Sequence, residues 1–162
     1  MAATPDVAIP TLNWLVTSEH QLLSVITQPD RPAGRGRTLK ESVISEWARE
    51  NDVPCFKPAS VTETATLIEG ADVLLTIGYG VLLPEELLSI PVHGCLNLHF
   101  SLLPRWRGAA PVQWAILSGE KTSGISIFKL DKGMDTGPIY LTHEVVLDSK
   151  AKSDEVLLAL SD

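Results

Sequence analysis

Asn97-Leu-His99 is the most informative chemical spacing in the chain. On a strand, residues two apart project from the same face. An amide and an imidazole would therefore reach out together. Ser101-Leu-Leu-Pro104 follows at once, then Arg105-Trp-Arg-Gly108 and Ala109-Ala-Pro111. Proline removes a ladder donor, so the strand must leave the sheet by Pro104. Pro111 suits the first turn of a helix. The pair thus lies where a strand ends, which is where open α/β sheets place ligands. Alone, Asn-x-His marks structural polar residues more often than catalysts. The second element, Gly133-Met-Asp135-Thr-Gly137, sets a carboxylate between two glycines. Glycine permits positive φ and close backbone approach; the plainer reading is a turn in which Asp135 bonds its own backbone. Taken together, the three residues are chemically complementary. A carboxylate orients an imidazole and favours its charged form, and an amide donates to a developing oxyanion. That set can move an acyl group from a carrier to an amine without a covalent enzyme intermediate.

A third element is basic. Gln28-Pro-Asp-Arg31-Pro-Ala-Gly-Arg35-Gly-Arg37, with Lys40 beyond, opposes the balance of a chain with 13 basic and 20 acidic residues and a net charge of −7. That overall charge disfavours a general nucleic-acid binder. A local arginine cluster still fits planar, bidentate phosphate contacts, so the stretch reads as a surface loop for a polyanionic partner. No Walker-type phosphate loop is present, and the glycines after the opening segment lack the dinucleotide-binding spacing. The cysteines and histidines show no metal-ligand spacing. Cys55 and Cys95 read as reduced, packed thiols. No stretch approaches the about 18 apolar residues of a membrane span, and the start lacks the pattern of a signal peptide. The expectation is a cytoplasmic, monomeric protein without a metal.

The elements that must position these residues alternate. Strands are expected over residues 22–27, 53–56, 73–77, 94–99, 124–130 and 139–147. Helices are expected over 4–17 (with its entering turn), 40–50, 62–68, 84–89, 111–117 and 153–160. Val43, Ile44, Trp47 and Ala48 form one apolar face, and Ser60 or Thr62 is the cap of the third helix. The apolar run at 73–77 suits a parallel strand covered on both faces. Tyr79, between Gly78 and Gly80, suits a loop lining a pocket. The class is α/β, a mostly parallel sheet flanked by helices. Both ends read as cut short, with the first strand missing.

In this order the elements resemble the formyltransferase domain of the bacterial methionyl-tRNA formyltransferase family. The likeness runs from Thr4-Pro-Asp6 through the basic stretch, Gly78-Tyr-Gly80 and residues 97–111 to Met134-Asp-Thr-Gly137. It implies a Rossmann-like formyltransferase fold over residues 1–162, without the first strand, the distal end and a C-terminal barrel domain. It implies 10-formyltetrahydrofolate as donor and initiator methionyl-tRNA as acceptor, in translation initiation. By the same likeness Asn97, His99 and Asp135 are catalytic. Ser101, Leu102, Leu103 and Pro104, with Tyr79, meet the folate, and Arg31, Arg35 and Arg37 meet the tRNA. The alternatives are another folate-dependent formyltransferase or hydrolase, or a fragment that binds folate or tRNA without turnover.

Overall fold

Residues 1–33, 38–148 and 150–162 are described in a computed structural model of the chain. In order it runs β1 (Ala2–Ala3), a 3₁₀ turn (Asp6–Ala8), α1 (Ile9–Thr17), β2 (Val25–Ile26), β3 (Arg31–Ala33), β4 (Thr38–Lys40), α2 (Val43–Glu50), β5 (Cys55–Phe56), α3 (Val61–Ile68), β6 (Leu74–Ile77), α4 (Glu85–Leu88), β7 (Cys95–His99), α5 (Pro111–Leu117), β8 (Thr122–Lys129), β9 (Ile139–Val146) and α6 (Ser153–Ser161). Seven strands form one sheet in the order β5-β2-β1-β6-β7-β8-β9. The first five in that order pair in parallel, and β8 and β9 close one side antiparallel. The mostly parallel sheet is as expected.

Strand periodicity divides the core into two layers. Ala3, Val25 and Ile77 join one buried cluster, to which α1, α2, α5 and α6 contribute Leu12, Ile44, Trp47, Val112, Val156 and Leu160. Ala2, Ile26 and Leu74 join the other, with Ile68 of α3 and Leu87 and Leu88 of α4. Neighbouring residues on a strand thus face opposite helix layers. Local chemistry sets the helix ends. The Ser42 hydroxyl accepts from the Ser45 N–H at 3.1 Å and starts α2. Ser60, rather than Thr62, caps α3 by accepting from the Glu63 N–H at 3.2 Å.

Three expectations are corrected. The opening strand is present: Ala2 and Ala3 pair with Ile26 on one side and with Thr76 and Ile77 on the other. Two alanines carry little apolar signal, but their size suits a strand enclosed on both faces. The basic stretch is not simply a loop. Its flanks form an antiparallel ribbon, with Arg31 opposite Lys40 and Ala33 opposite Thr38, so α2 begins at Val43 and not at Lys40. Val43 itself stays exposed, and Ser45 joins Ile44, Trp47 and Ala48 on the buried face. Arg35 and Arg37 lie outside the described residues.

The two thiols differ in environment. Cys95 is fully buried, and burial pushes its thiol up to about 11. Cys55 is half-buried. One thiol, Cys55, is therefore expected to react with a maleimide in the native protein, and Cys95 only on unfolding. Mass spectrometry of labelled peptides checks this; equal labelling under native conditions contradicts it.

Candidate active site

The chain moves outward from β1 in both directions: β2 and β5 lie to one side, β6 and β7 to the other. Where strand order reverses, the loops leaving the strand ends part and open a crevice. A cavity of about 450 Å³ lies beside that point, at the C-terminal ends of β6 and β7. Its polar side chains include Thr76, Asn97, His99 and Asp135; Tyr79, Leu83, Phe100 and Met134 are among its apolar walls.

The Tyr79 carbonyl ties three strand ends together. It accepts from the Thr4 hydroxyl at 3.0 Å, after β1, and from Gln28 Nε2 at 2.6 Å, after β2. Gly80 has φ +73, and a Cβ there would meet Gln28 Nε2 at 2.6 Å. A side chain there would be held at that strained φ and would displace the Gln28 amide from the Tyr79 carbonyl. The Tyr79 ring is 6% exposed, and burial raises its phenol above the usual range.

The strand period places Asn97 and His99 together, as expected, and both line the cavity. His99 is 8% exposed and stands edge-on to Phe128, with centroids 6.4 Å apart. Its Nε2 lies 2.9 Å from the Trp106 carbonyl oxygen. A carbonyl only accepts, so Nε2 carries the proton. Its Nδ1 lies 3.6 Å from Asp135 Oδ2, too long for a good hydrogen bond but within ion-pair reach. Both ring nitrogens therefore face acceptors. The turn that supplies the first and anchors the second winds tightly: Trp106, Gly108 and Ala110 have φ of +57, +84 and +61, backbone that L-residues adopt at a cost. Its Trp106 carbonyl meets His99, and its Gly108 N–H donates to Asp135 Oδ2 at 2.7 Å. One turn thus holds both members of the pair. Arg105 pairs with Glu120 and lies over the Trp106 ring, fixing the turn from outside.

Asp135 also has positive φ, +52. The turn-bonding role is carried by Asp131, whose Oδ1 accepts from the Gly133 N–H at 2.8 Å and the Thr136 hydroxyl at 2.7 Å. The Thr136 bond and then the Gly133 bond hold its carboxyl below the usual range. A Cβ on Gly137 would overlap the Lys129 carbonyl oxygen. Asp131 and Gly137 shape the loop, leaving the Asp135 carboxylate free to face His99.

Asn97 Nδ2 donates to the Thr76 hydroxyl at 2.8 Å. Thr76, the Trp106 carbonyl and the Gly108 N–H were not singled out by sequence reasoning. The apolar run around Thr76 hid it, and backbone groups carry no sequence signal of their own.

The structure does not bring Ser101, Leu102, Leu103 and Pro104 into the cavity lining, which stops at Phe100 and resumes at Gly108. They build the bend that leads from β7 into the turn. The Ser126 hydroxyl donates to the Ser101 carbonyl at 2.7 Å and accepts from the Leu103 N–H at 3.0 Å. The Ser101 hydroxyl donates to the Arg105 carbonyl at 2.6 Å, and the Leu103-Pro104 peptide bond is cis. Arg31 begins the basic ribbon.

A family model described as formyl transferase matches residues 3–161. The chain belongs to the formyl transferase family. Among the relatives of this family member, the methionyl-tRNA formyltransferase of Hydrogenovibrio crunogenus is 43% identical over 165 aligned positions, covering 99% of this chain and 52% of that protein. The methionyl-tRNA formyltransferase of Legionella pneumophila strain Corby is 49% identical over 142 positions, covering 85% of this chain and 45% of that protein. The chain spans about half the length of these relatives. Among solved structures, phosphoribosylglycinamide formyltransferase from Anaplasma phagocytophilum superposes with a TM-score of 0.82 at 19% identity, covering 98% of this chain and 76% of that one. A sugar 3N-formyl transferase solved with dTDP and 5-N-formyl-THF gives 0.74 at 18% identity, covering 99% and 56%. These neighbours share the Rossmann-like formyltransferase fold.

Proposed function

We propose that this formyl transferase moves the formyl group of 10-formyltetrahydrofolate to the methionyl amino group of initiator methionyl-tRNA. The observation that carries the reading is the convergence of Asn97, His99 and Asp135 on one cavity. The nearness of curated methionyl-tRNA formyltransferases supports the acceptor. The cavity, about 450 Å³ with apolar walls and one polar end, fits a flat ring system that presents a reactive polar edge.

In this reading the neutral methionyl amine attacks the formyl carbon, and negative charge gathers on the formyl oxygen. Asn97 donates an N–H to that oxygen. His99, held by Trp106 and Asp135, faces that charge as a cation, gives its proton to the carrier nitrogen as the bond from the formyl carbon to the carrier breaks, and, then neutral, takes up the proton that the attacking amine sheds. Asp135 keeps the imidazole in place and balances its charge. No protein group bonds covalently to the formyl carbon. Ser101, Leu102, Leu103 and Pro104 meet the folate from the bend after β7, and Tyr79 forms a wall beside it. Arg31, Arg35 and Arg37 meet the phosphates of the acceptor tRNA.

The test is a formylation assay with 10-formyltetrahydrofolate and methionine-charged initiator tRNA, beside elongator tRNA carrying the same amino acid. Formylmethionine is expected on the initiator in clear preference. Equal use of both tRNAs overturns the acceptor assignment. Release of free formate alone makes the site a hydrolase, and folate binding without product makes it a binding module.

A further inference from the structure

We infer that Thr76 is a positioning residue for Asn97: a closed relay of hydrogen bonds through its hydroxyl fixes which end of the Asn97 amide meets the cavity. The inference rests on the acyl-transfer reading of the site. Thr76 and Asn97 stand opposite each other where β6 pairs with β7. Thr76 is 3% exposed, and both residues line the cavity.

A hydroxyl has one proton to give. Thr76 gives it to the Leu96 carbonyl oxygen, 3.1 Å away. What remains toward Asn97, at 2.8 Å, is oxygen able only to accept. An amide oxygen in that place would set two acceptors against each other in a buried site. The NH₂ end must face Thr76, which settles an orientation that amide shape alone leaves open. One N–H is spent on Thr76. Among the described residues the other has no protein partner, and it is the one a developing oxyanion would use. Leu96 is the chain neighbour of Asn97, so the relay begins and ends on the same strand. A rigid, adjacent brace of this kind keeps a donor aimed before the charge develops, which is the condition for strong stabilisation.

The simpler role for Thr76 is to satisfy its own hydroxyl in the core. Two variants separate the roles. Valine is close in shape and removes the hydroxyl; serine keeps it. For formyl transfer, Thr76→Val is expected to lower kcat about 10-fold or more while KM for the formyl-folate stays within about 2-fold, and Thr76→Ser to stay within about 3-fold in kcat. In an Asn97→Ala background, Thr76→Val should cost nothing further, because its effect runs through Asn97. A readout without turnover accompanies these. In the nitrogen–proton correlation spectrum, the Asn97 side-chain amide, assigned by its loss in Asn97→Ala, should show one proton protected from exchange. Protection should vanish in Thr76→Val and persist in Thr76→Ser. Lost protection with unchanged kcat overturns the positioning role. Equal damage by valine and serine, or additive loss in the double variant, assigns Thr76 to packing alone. If the parent chain shows no formyl transfer, the reading of the site fails, and an unprotected amide then sinks the relay as well.

Discussion

His99→Ala is expected to lower the rate of formyl transfer by about 10²–10⁴-fold, the range typical of a lost acid–base group. Among the described residues that line the cavity, the imidazole is the one side chain that can both stabilise negative charge as a cation and hand a proton on. Its surroundings leave it little freedom: the Trp106 carbonyl accepts from the Nε2–H at 2.9 Å, Asp135 stands 3.6 Å from Nδ1, and Phe128 closes one side. Alanine removes the charge and opens the space. Asp135 keeps its bond from the Gly108 N–H, so the loop retains an anchor. The Trp106 carbonyl loses its partner, and an unmade bond of that kind costs about 1–3 kcal/mol. The variant must therefore be compared under single-turnover conditions with saturating donor, beside a thermal melt. A folded His99→Ala protein with nearly parental turnover ends the assignment.

The parts of this site legible in the sequence are those written in period and punctuation. Asn97-x-His99 reads as a same-face pair because strands repeat every two residues, and Pro104 marks where the strand must stop. Gly137 reads as a close approach, and the Lys129 carbonyl is the backbone it approaches. What stayed hidden depends on partners far away in the chain. Ala2 and Ala3 become a strand because β2 and β6 flank them, not because alanine prefers one. A run with proline, such as Arg31-Pro-Ala33, reads as loop, yet a two-stranded ribbon tolerates proline at an outward N–H. Thr76 looks like a stray polar residue until the β6–β7 register sets it against Asn97. The two aspartates of the 131–137 loop divide the roles that sequence reasoning offered to Asp135 alone, because Asp131 and not Asp135 reaches Gly133 and Thr136. Resemblance alone points Ser101, Leu102, Leu103 and Pro104 toward the folate; what only the fold reveals is that the distant Ser126 hydroxyl ties the Ser101 carbonyl to the Leu103 N–H.

Asn97→Asp should be more damaging than Asn97→Ala, although it changes volume least. Alanine deletes one oxyanion donor, a loss of about 10²–10³ in rate. Aspartate deletes the same donor and sets a carboxylate where the reaction gathers negative charge. It also faces the Thr76 oxygen with a second acceptor, so the Thr76 hydroxyl must turn from Leu96 to the new carboxylate and the brace is broken. Burial and this crowding both favour the protonated carboxyl, and a protonated carboxyl can donate. The gap between the two variants should accordingly narrow as pH falls, the aspartate variant recovering activity relative to alanine, and its thermal melt, lowered at neutral pH by the same buried charge, recovering alongside. Steady-state rates of the three proteins across pH measure this. Were Asn97→Asp instead the more active variant at neutral pH, the side chain at that position would be accepting a proton from the attacking amine, and the amide would have to be reassigned from oxyanion donor to acceptor.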